Sequence, residues 1–478
     1  MRRNKISRSG RLLKNIALMF AGNFVTKILS FIMVPVYTSL LSTADYGVAD
    51  LISTTVLLVL PIFSLLMEEA TLRFALDTAI DNKQVFTIGV TISTFGFIAA
   101  LLVSPVILFF ESLRPYYVFV ILYYISLWLH NIFSYYVRGL DRVAICTAAS
   151  IIHTVVFLAI NIIGLVVLRW GVYAYLLAID VSNLIAAAFL FIYCKLYKNI
   201  IRVRNIDRKL AKEMIKFSVP MLPDYISWWL NNGLDRYMIS FFCNNSVLGL
   251  YSVAHKIPTI LSSLTSIFSS AWRISSVDDF GSQKSVEFYS GIYRLYSGFL
   301  IITSSVLIFV VKPIAKLLFV KDFFIAWKIT PILILAQVFS ALAIFIGSIF
   351  TASKKTQKLF IAPLIGAGVN LCLNLVFIPK FEAVGAAWAT TIGYMAIWII
   401  QMINTSRVLK IDLNLKVLVP SILLIVAQIF IVTKDTLTAM VFAGICAVIV
   451  LAINSQVLLQ LTKIMIDRIK RFRCSRSM

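Results

Sequence analysis

Residues 436–462 contain no Asp, Glu, Lys or Arg, and the same holds for 84–110, 115–137, 143–168, 329–353, 359–379 and 383–406. A helix crosses the hydrocarbon core of a bilayer with about 20 mostly apolar residues. Each of these stretches is long enough. Apolar residues make up 60% of the 478-residue chain and charged residues 14%, against roughly 25% charged in an average soluble protein. A soluble chain of this size has no place for so much apolar surface, because single cores stop growing near about 250–300 residues. The sequence is that of an all-α polytopic membrane protein.

Shorter or singly charged stretches at about 15–40, 46–67, 171–194, 215–241, 247–271, 290–311 and 416–433 fill the gaps, giving about fourteen spans. The net charge of +23 comes from 44 Lys and Arg against 21 Asp and Glu. With the N-terminus in the cytoplasm, the inside segments hold 33 basic residues and the outside loops 8. That excess is the usual sign of cytoplasm-facing loops, so the charge calls for no nucleic acid, and no aromatic and basic stacking segment accompanies it. The basic start, Arg2 to Arg11, reads as a retained cytoplasmic end rather than a signal peptide, for no small-residue cleavage site follows it. The outside loop 312–328 is the basic exception, and it is expected to dip into the interface.

A basic segment after six spans divides the chain, and two matches suggest a repeat across it. Tyr46-Gly47 near the end of span 1 matches Leu248-Gly249 near the end of span 7, an offset of 202. Gly171, Ala174 and Ala178 opening span 6 match Glu382, Gly385 and Ala389 opening span 12, an offset of 211. Six spans apart means equal orientation, hence parallel repeats. The expected organisation is an N-lobe over 1–200, a basic cytoplasmic linker over 201–214, a C-lobe over 215–408, and spans 13 and 14 with a basic tail over 409–478.

An ionisable side chain at membrane depth is costly unless it is paired or lines a wet cavity. Asp224, Trp228, Asn231, Asn232 and Asp235 recur at i, i+4, i+7, i+8 and i+11 on one face of span 7, flanked by Arg236. This is either a cavity-lining stripe or an Asp–Arg clamp between helices. Pro220 and Pro223 near its start mark a bend or break. Span 8 carries Ser252, Lys256, Thr259 and Ser263 on one face, and span 1 carries Asn23, Lys27 and Ser30. Spans 1 and 7 are equivalent under the repeat, and their cations, Lys27 and Arg236, suit a shared anion-binding cavity, with pairing of Lys27 to Asp50 or Asp180 as the structural alternative. Asp180 with Asn183 is a second acidic candidate. Asn370 and Asn374 share a face as interhelical polar contacts. His130 and His153 read as packing or polar contacts rather than a proton relay. Arg73 and Arg273 are solvated helix ends or the rim of an inward-facing cavity.

No P-loop, G-x-S-x-G or H-E-x-x-H pattern is present. The six cysteines form neither a C-x-x-C pair nor a Cys/His cluster. No enzyme, cofactor or metal site is expected. A transporter without a nucleotide site draws on gradients or on the next step of its pathway.

Four segments carry a resemblance: Thr43–Leu51 (T-A-D-Y-G-V-A-D-L), Asp235–Ile239 (D-R-Y-M-I), Gly249–Ile257 (G-L-Y-S-V-A-H-K-I) and Ala271–Ser275 (A-W-R-I-S). With the span pattern over spans 1–12, the chain resembles the Wzx-type bacterial polysaccharide flippases of the MATE-like MOP exporter superfamily. The resemblance implies two six-helix lobes in a V around a central cavity, with alternating access. It implies a multi-pass protein of the bacterial cytoplasmic membrane, both termini inside. The implied cargo is an undecaprenyl-diphosphate-linked glycan moved to the outer leaflet. A polysaccharide polymerase and other pathway proteins are the implied partners, and H+ or Na+ the coupling ion. A diphosphate needs cations, which Lys27, Arg236 and Lys256 supply. Thr26-Lys27 and its successors look like a reduced version of the basic first helix of related lipid II flippases. The alternative within the fold is a MATE-type drug exporter, in which Asp180, Asp224 and Asp235 serve ion coupling. A repeat-unit polymerase is the third reading, but it usually needs a long catalytic outer loop, and none here exceeds about twenty residues.

Overall fold

The computed structural model describes residues 31–278, 285–352 and 361–460, together with 29, 462 and 463. Among them every regular element is a helix. Among the described residues nine helices are long and apolar enough to cross a membrane, and Ile361–Ser406 alone has 46 residues, a rise of about 69 Å, enough for two crossings of a ~30 Å core. This is an all-α, multi-pass architecture. Asn23, Lys27 and most of the expected first span lie outside the described residues.

The chain forms two compact units. The first is Met1–Trp229 with Asn244–Gly249. It contains α1 (Val34–Leu40), α2 (Thr43–Ser64), α3 (Met67–Ala75), α4 (Asn82–Val103), α5 (Tyr117–Gly139), α6 (Val143–Asn161), α7 (Val172–Tyr193) and α8 (Arg208–Ser218). Ser42 caps α2 by accepting from the Asp45 N–H at 3.1 Å. Within α2 the hydroxyls of Ser53, Thr54 and Thr55 donate to the carbonyls four residues back, so these polar side chains need no partner from another helix. Met67, Phe86, Tyr136, Leu190 and Met214 pack the core.

The basic segment after α7 is tied to this core. Asp207 caps α8 through the N–H groups of Lys209 and Leu210. Leu210, Met214 and Ser218 are buried along one face, while Arg208, Lys209, Lys212 and Lys216 are exposed. Pro220 then sits in a 3-10 turn, Val219–Met221. The expected seventh span is therefore two elements, because proline lacks the N–H that a continuous helix requires at that point.

The second unit is Leu230–Cys243 and Leu250–Met478. It holds the remainder of α9 (Leu222–Phe242) and of α10 (Asn245–Ala254), then α11 (Pro258–Asp278), α12 (Ser285–Phe309), α13 (Val311–Leu318), α14 (Thr330–Ala352), α15 (Ile361–Ser406), α16 (Leu415–Val432) and α17 (Leu437–Ile453). Helix α14 is its most buried long helix, packed on α11, α12 and α15. Trp272 stacks on Phe345 at 4.8 Å and donates from its indole to Ser348 at 2.7 Å. The last two helices dock on α12. Gln428 accepts from Ser305 at 2.8 Å and donates to the Ser305 and Ala443 carbonyls. Residues 312–328 fold as α13 and a 3-10 helix, with Lys312 paired to Asp435 and placed over the Trp327 ring.

The second proposed repeat match has a backbone counterpart. Gly171 before α7 has φ 57° and ψ −137°. Glu382 inside α15 has φ 49° and ψ −130°. The two matched positions thus share one rare backbone state, and each starts a helix: α7, and the second half of α15.

Candidate functional site

Asp235 lies on α9 and is 1% exposed. Its carboxylate is caged by neutral donors from three other helical segments. Tyr251 on α10 donates at 2.7 Å, Asn374 on the first half of α15 donates at 2.6 Å, and the Thr390 hydroxyl on the second half donates as well. Asn374 also donates to Asn370 Oδ1 at 3.0 Å. One turn earlier on α9, Asn231 donates to the Pro363 carbonyl at 2.9 Å, and Asn232 accepts from the Tyr394 hydroxyl at 2.6 Å. Arg236, the next residue on α9, donates to the Asn232 carbonyl on its own helix, and its charge also acts on Asp235.

In the first unit, Asp180 on α7 is 4% exposed. Among the described residues neither carboxylate oxygen has a hydrogen-bond partner. The Ser126 hydroxyl lies beside this carboxylate and donates to the Tyr123 carbonyl at 3.1 Å. On α5 and α6, His130 and His153 meet edge to face with ring centroids 5.6 Å apart, and Asn183 on α7 lines the same cavity.

The family described as polysaccharide biosynthesis protein matches residues 12–273, more than half of the chain. The chain belongs to that family. Among curated proteins none matches it by sequence. Its fold is similar to that of the lipid II flippase MurJ in an inward closed conformation, at a TM-score of 0.67 and 16% identity, covering 92% of this chain and 99% of that one. An inward-facing multidrug resistance MATE family transporter of the MOP superfamily is similar at 0.58 and 13% identity, covering 80% and 97%. The MATE transporter ClbM in complex with Rb+ is similar at 0.56 and 15% identity, covering 85% and 95%. The fold is like that of these lipid II flippase and MATE transporter structures.

In this polysaccharide biosynthesis family member, the expected site residues separate. Asp235, Asn231 and Asn232 share α9 with Arg236 and gather in the second unit. Asp224 belongs to the first unit, where it is exposed in the first turn of α9. Arg73 is exposed in the last turn of α3. Lys256 lies in the turn His255–Ile257 between α10 and α11, so the expected stripe of Ser252, Lys256, Thr259 and Ser263 does not run along one helix. Pro258 starts α11 and breaks it, a discontinuity of the kind that lines transporter sites. The side chain of Arg273, like Asn23 and Lys27, lies outside the described residues. Sequence reasoning missed Tyr251 and Thr390. Their only signal was a hydroxyl within an apolar run, and nothing local says which carboxylate it meets.

Proposed function

We propose that this chain is a flippase that moves undecaprenyl-diphosphate-linked oligosaccharide repeat units from the cytoplasmic to the outer leaflet, by alternating access, for surface polysaccharide assembly. The family match over residues 12–273 carries this reading, and the likeness to a lipid II flippase supports it. In this proposal Lys27, Arg236 and Lys256 contact the diphosphate, with Arg73 and Arg273 near the entrance. A diphosphate attracts such cations through charge-assisted hydrogen bonds. Asp235 is the coupling carboxylate, loading H+ or Na+, and Asp180 is its counterpart in the first unit. That a MATE transporter of similar fold is described in complex with Rb+ supports monovalent cation binding. The chain then sits in the bacterial cytoplasmic membrane with both termini inside, working beside a polymerase.

The buried carboxylates of Asp180 and Asp235 favour a second reading, a cation-coupled drug exporter of the same fold. One experiment separates them. In cells deleted for the gene, lipid-linked glycans are extracted and assigned to a leaflet by accessibility to an added glycosidase. Accumulation on the cytoplasmic leaflet with loss of surface polysaccharide is expected. Intact surface polysaccharide with raised sensitivity to cationic dyes would instead establish the exporter.

A further inference from the structure

We propose that the cavity between α5, α6 and α7 holds one uncharged sugar ring, a neutral or N-acetylated pyranose. It rests on the transport reading for the source of that ring, the glycan of the lipid-linked cargo. The cavity measures about 370 Å³, near the lower end of the roughly 300–1,000 Å³ typical of small-molecule sites. Its wall is drawn from the middle of all three helices: Tyr123, His130 and Asn131 from α5, His153 and Phe157 from α6, and Asn183 from α7. A polar hollow half-way along apolar helices is costly to keep without a polar occupant.

The chemistry of the wall selects the occupant. Among the described residues none of the lining side chains is Lys, Arg, Asp or Glu, a wall that favours an uncharged occupant. Two imidazoles are present, but among the described residues no third metal-ligating group joins them. What the wall does offer is amides, imidazoles and a phenol, which donate and accept as sugar hydroxyls do. His153 and Phe157 stack with centroids 6.2 Å apart, and the Phe157 ring gives the wall an aromatic surface for the C–H side of a sugar.

The test uses the full-length protein in lipid nanodiscs and saturation-transfer NMR with three probes at millimolar concentration: a methyl hexoside, a methyl N-acetylhexosaminide and a methyl glucuronide. Signal is expected from one or both uncharged glycosides and not from the glucuronide. Asn183→Leu and His130→Phe should each weaken binding about tenfold, as the loss of one well-made buried hydrogen bond does. Asn131→Leu serves if either variant fails to elute as a single species. No signal from any uncharged glycoside, undiminished signal in the variants, or equal binding of the glucuronide overturns the cavity proposal. Such a result alongside cytoplasmic-leaflet accumulation in deleted cells would leave the flippase reading standing. Glycoside binding without accumulation would support the cavity and overturn the flippase.

Discussion

Gly47 and Gly249 are in reciprocal contact: a Cβ on Gly47 would collide with the Asn245 carbonyl oxygen, and a Cβ on Gly249 with the Thr43 carbonyl oxygen. Thr43 and Asn245 are themselves 202 residues apart, the offset of the two glycines. When residue i meets j and the equivalent of j meets the equivalent of i, the two segments are related by an approximate two-fold axis. The first proposed repeat match is therefore also a physical contact, between the start of α2 and the start of α10.

Because the obstacles at this contact are backbone atoms, they cannot rotate away. Gly249→Ala is expected to lower stability by about 1–3 kcal/mol, as overpacking does. Gly368→Ala, where nothing lies within 4 Å of the added Cβ, should stay within about 0.5 kcal/mol of the parent. Thermal unfolding of the purified proteins in one detergent compares them. Equal melting of Gly249→Ala and the parent would remove the close contact.

Glu382 adopts a backbone conformation that its counterpart Gly171 reaches without a side chain. Glu382→Gly should raise stability by about 1 kcal/mol and Gly171→Ala should lower it by a similar amount, the scale of strain at a non-glycine residue in a sparsely populated region. The opposite signs are what unfolding experiments must show. If Glu382→Gly is destabilising, the side chain contributes more than the strain costs.

Asp235 is expected to respond differently to an isostere and to an apolar residue. Asp235→Asn keeps size and an acceptor but not the charge, so transport should fall about tenfold or more, the scale of a lost charged hydrogen bond, while the protein still folds. Asp235→Leu removes the acceptor of the Tyr251, Asn374 and Thr390 donors; Asn374 and Thr390 keep Asn370 and the Ala386 carbonyl, so a cost of about 1–3 kcal/mol is expected, chiefly from the buried Tyr251 hydroxyl. Lost folding in Asp235→Asn, with no separate transport defect, would make the residue purely structural.

Lys256→Ala and Arg236→Ala should each reduce glycolipid transport about tenfold or more, since a charged hydrogen bond to a diphosphate contributes about 1.5–3 kcal/mol. Membrane insertion and melting temperature should change little. The readout is leaflet accumulation in cells carrying each variant. Full complementation by both would discard the cationic contact.

Much of the fold was legible because membrane segments obey a local rule. A stretch such as 143–168 must bury its own backbone polar groups and face lipid, so length and absence of charge suffice to place a helix there. The breaks were partly legible. Pro220 announced the division between α8 and α9, whereas Pro258, which interrupts the polar stripe through Lys256, is overlooked when periodicity alone is followed. The offset matches at Gly47 and Gly171 were readable as letters, yet not as a contact or a shared dihedral state.

The sequence by itself determined that this chain spans a membrane as helices, where charge is rare, and which few ionisable residues lie at depth. Only the tertiary structure decided what those residues meet. Asp235 reads equally well in sequence as the partner of Arg236 or as a lining residue. Its donors come from Tyr251, Asn374 and Thr390, the last 155 positions away, and are brought together by helix packing. His130 and His153 look like isolated histidines until α5 and α6 place them edge to face beside Asn183. Helix formation is set by neighbours within a few residues, but a hydrogen bond across a bundle depends on which faces pack, and no short window of sequence records that.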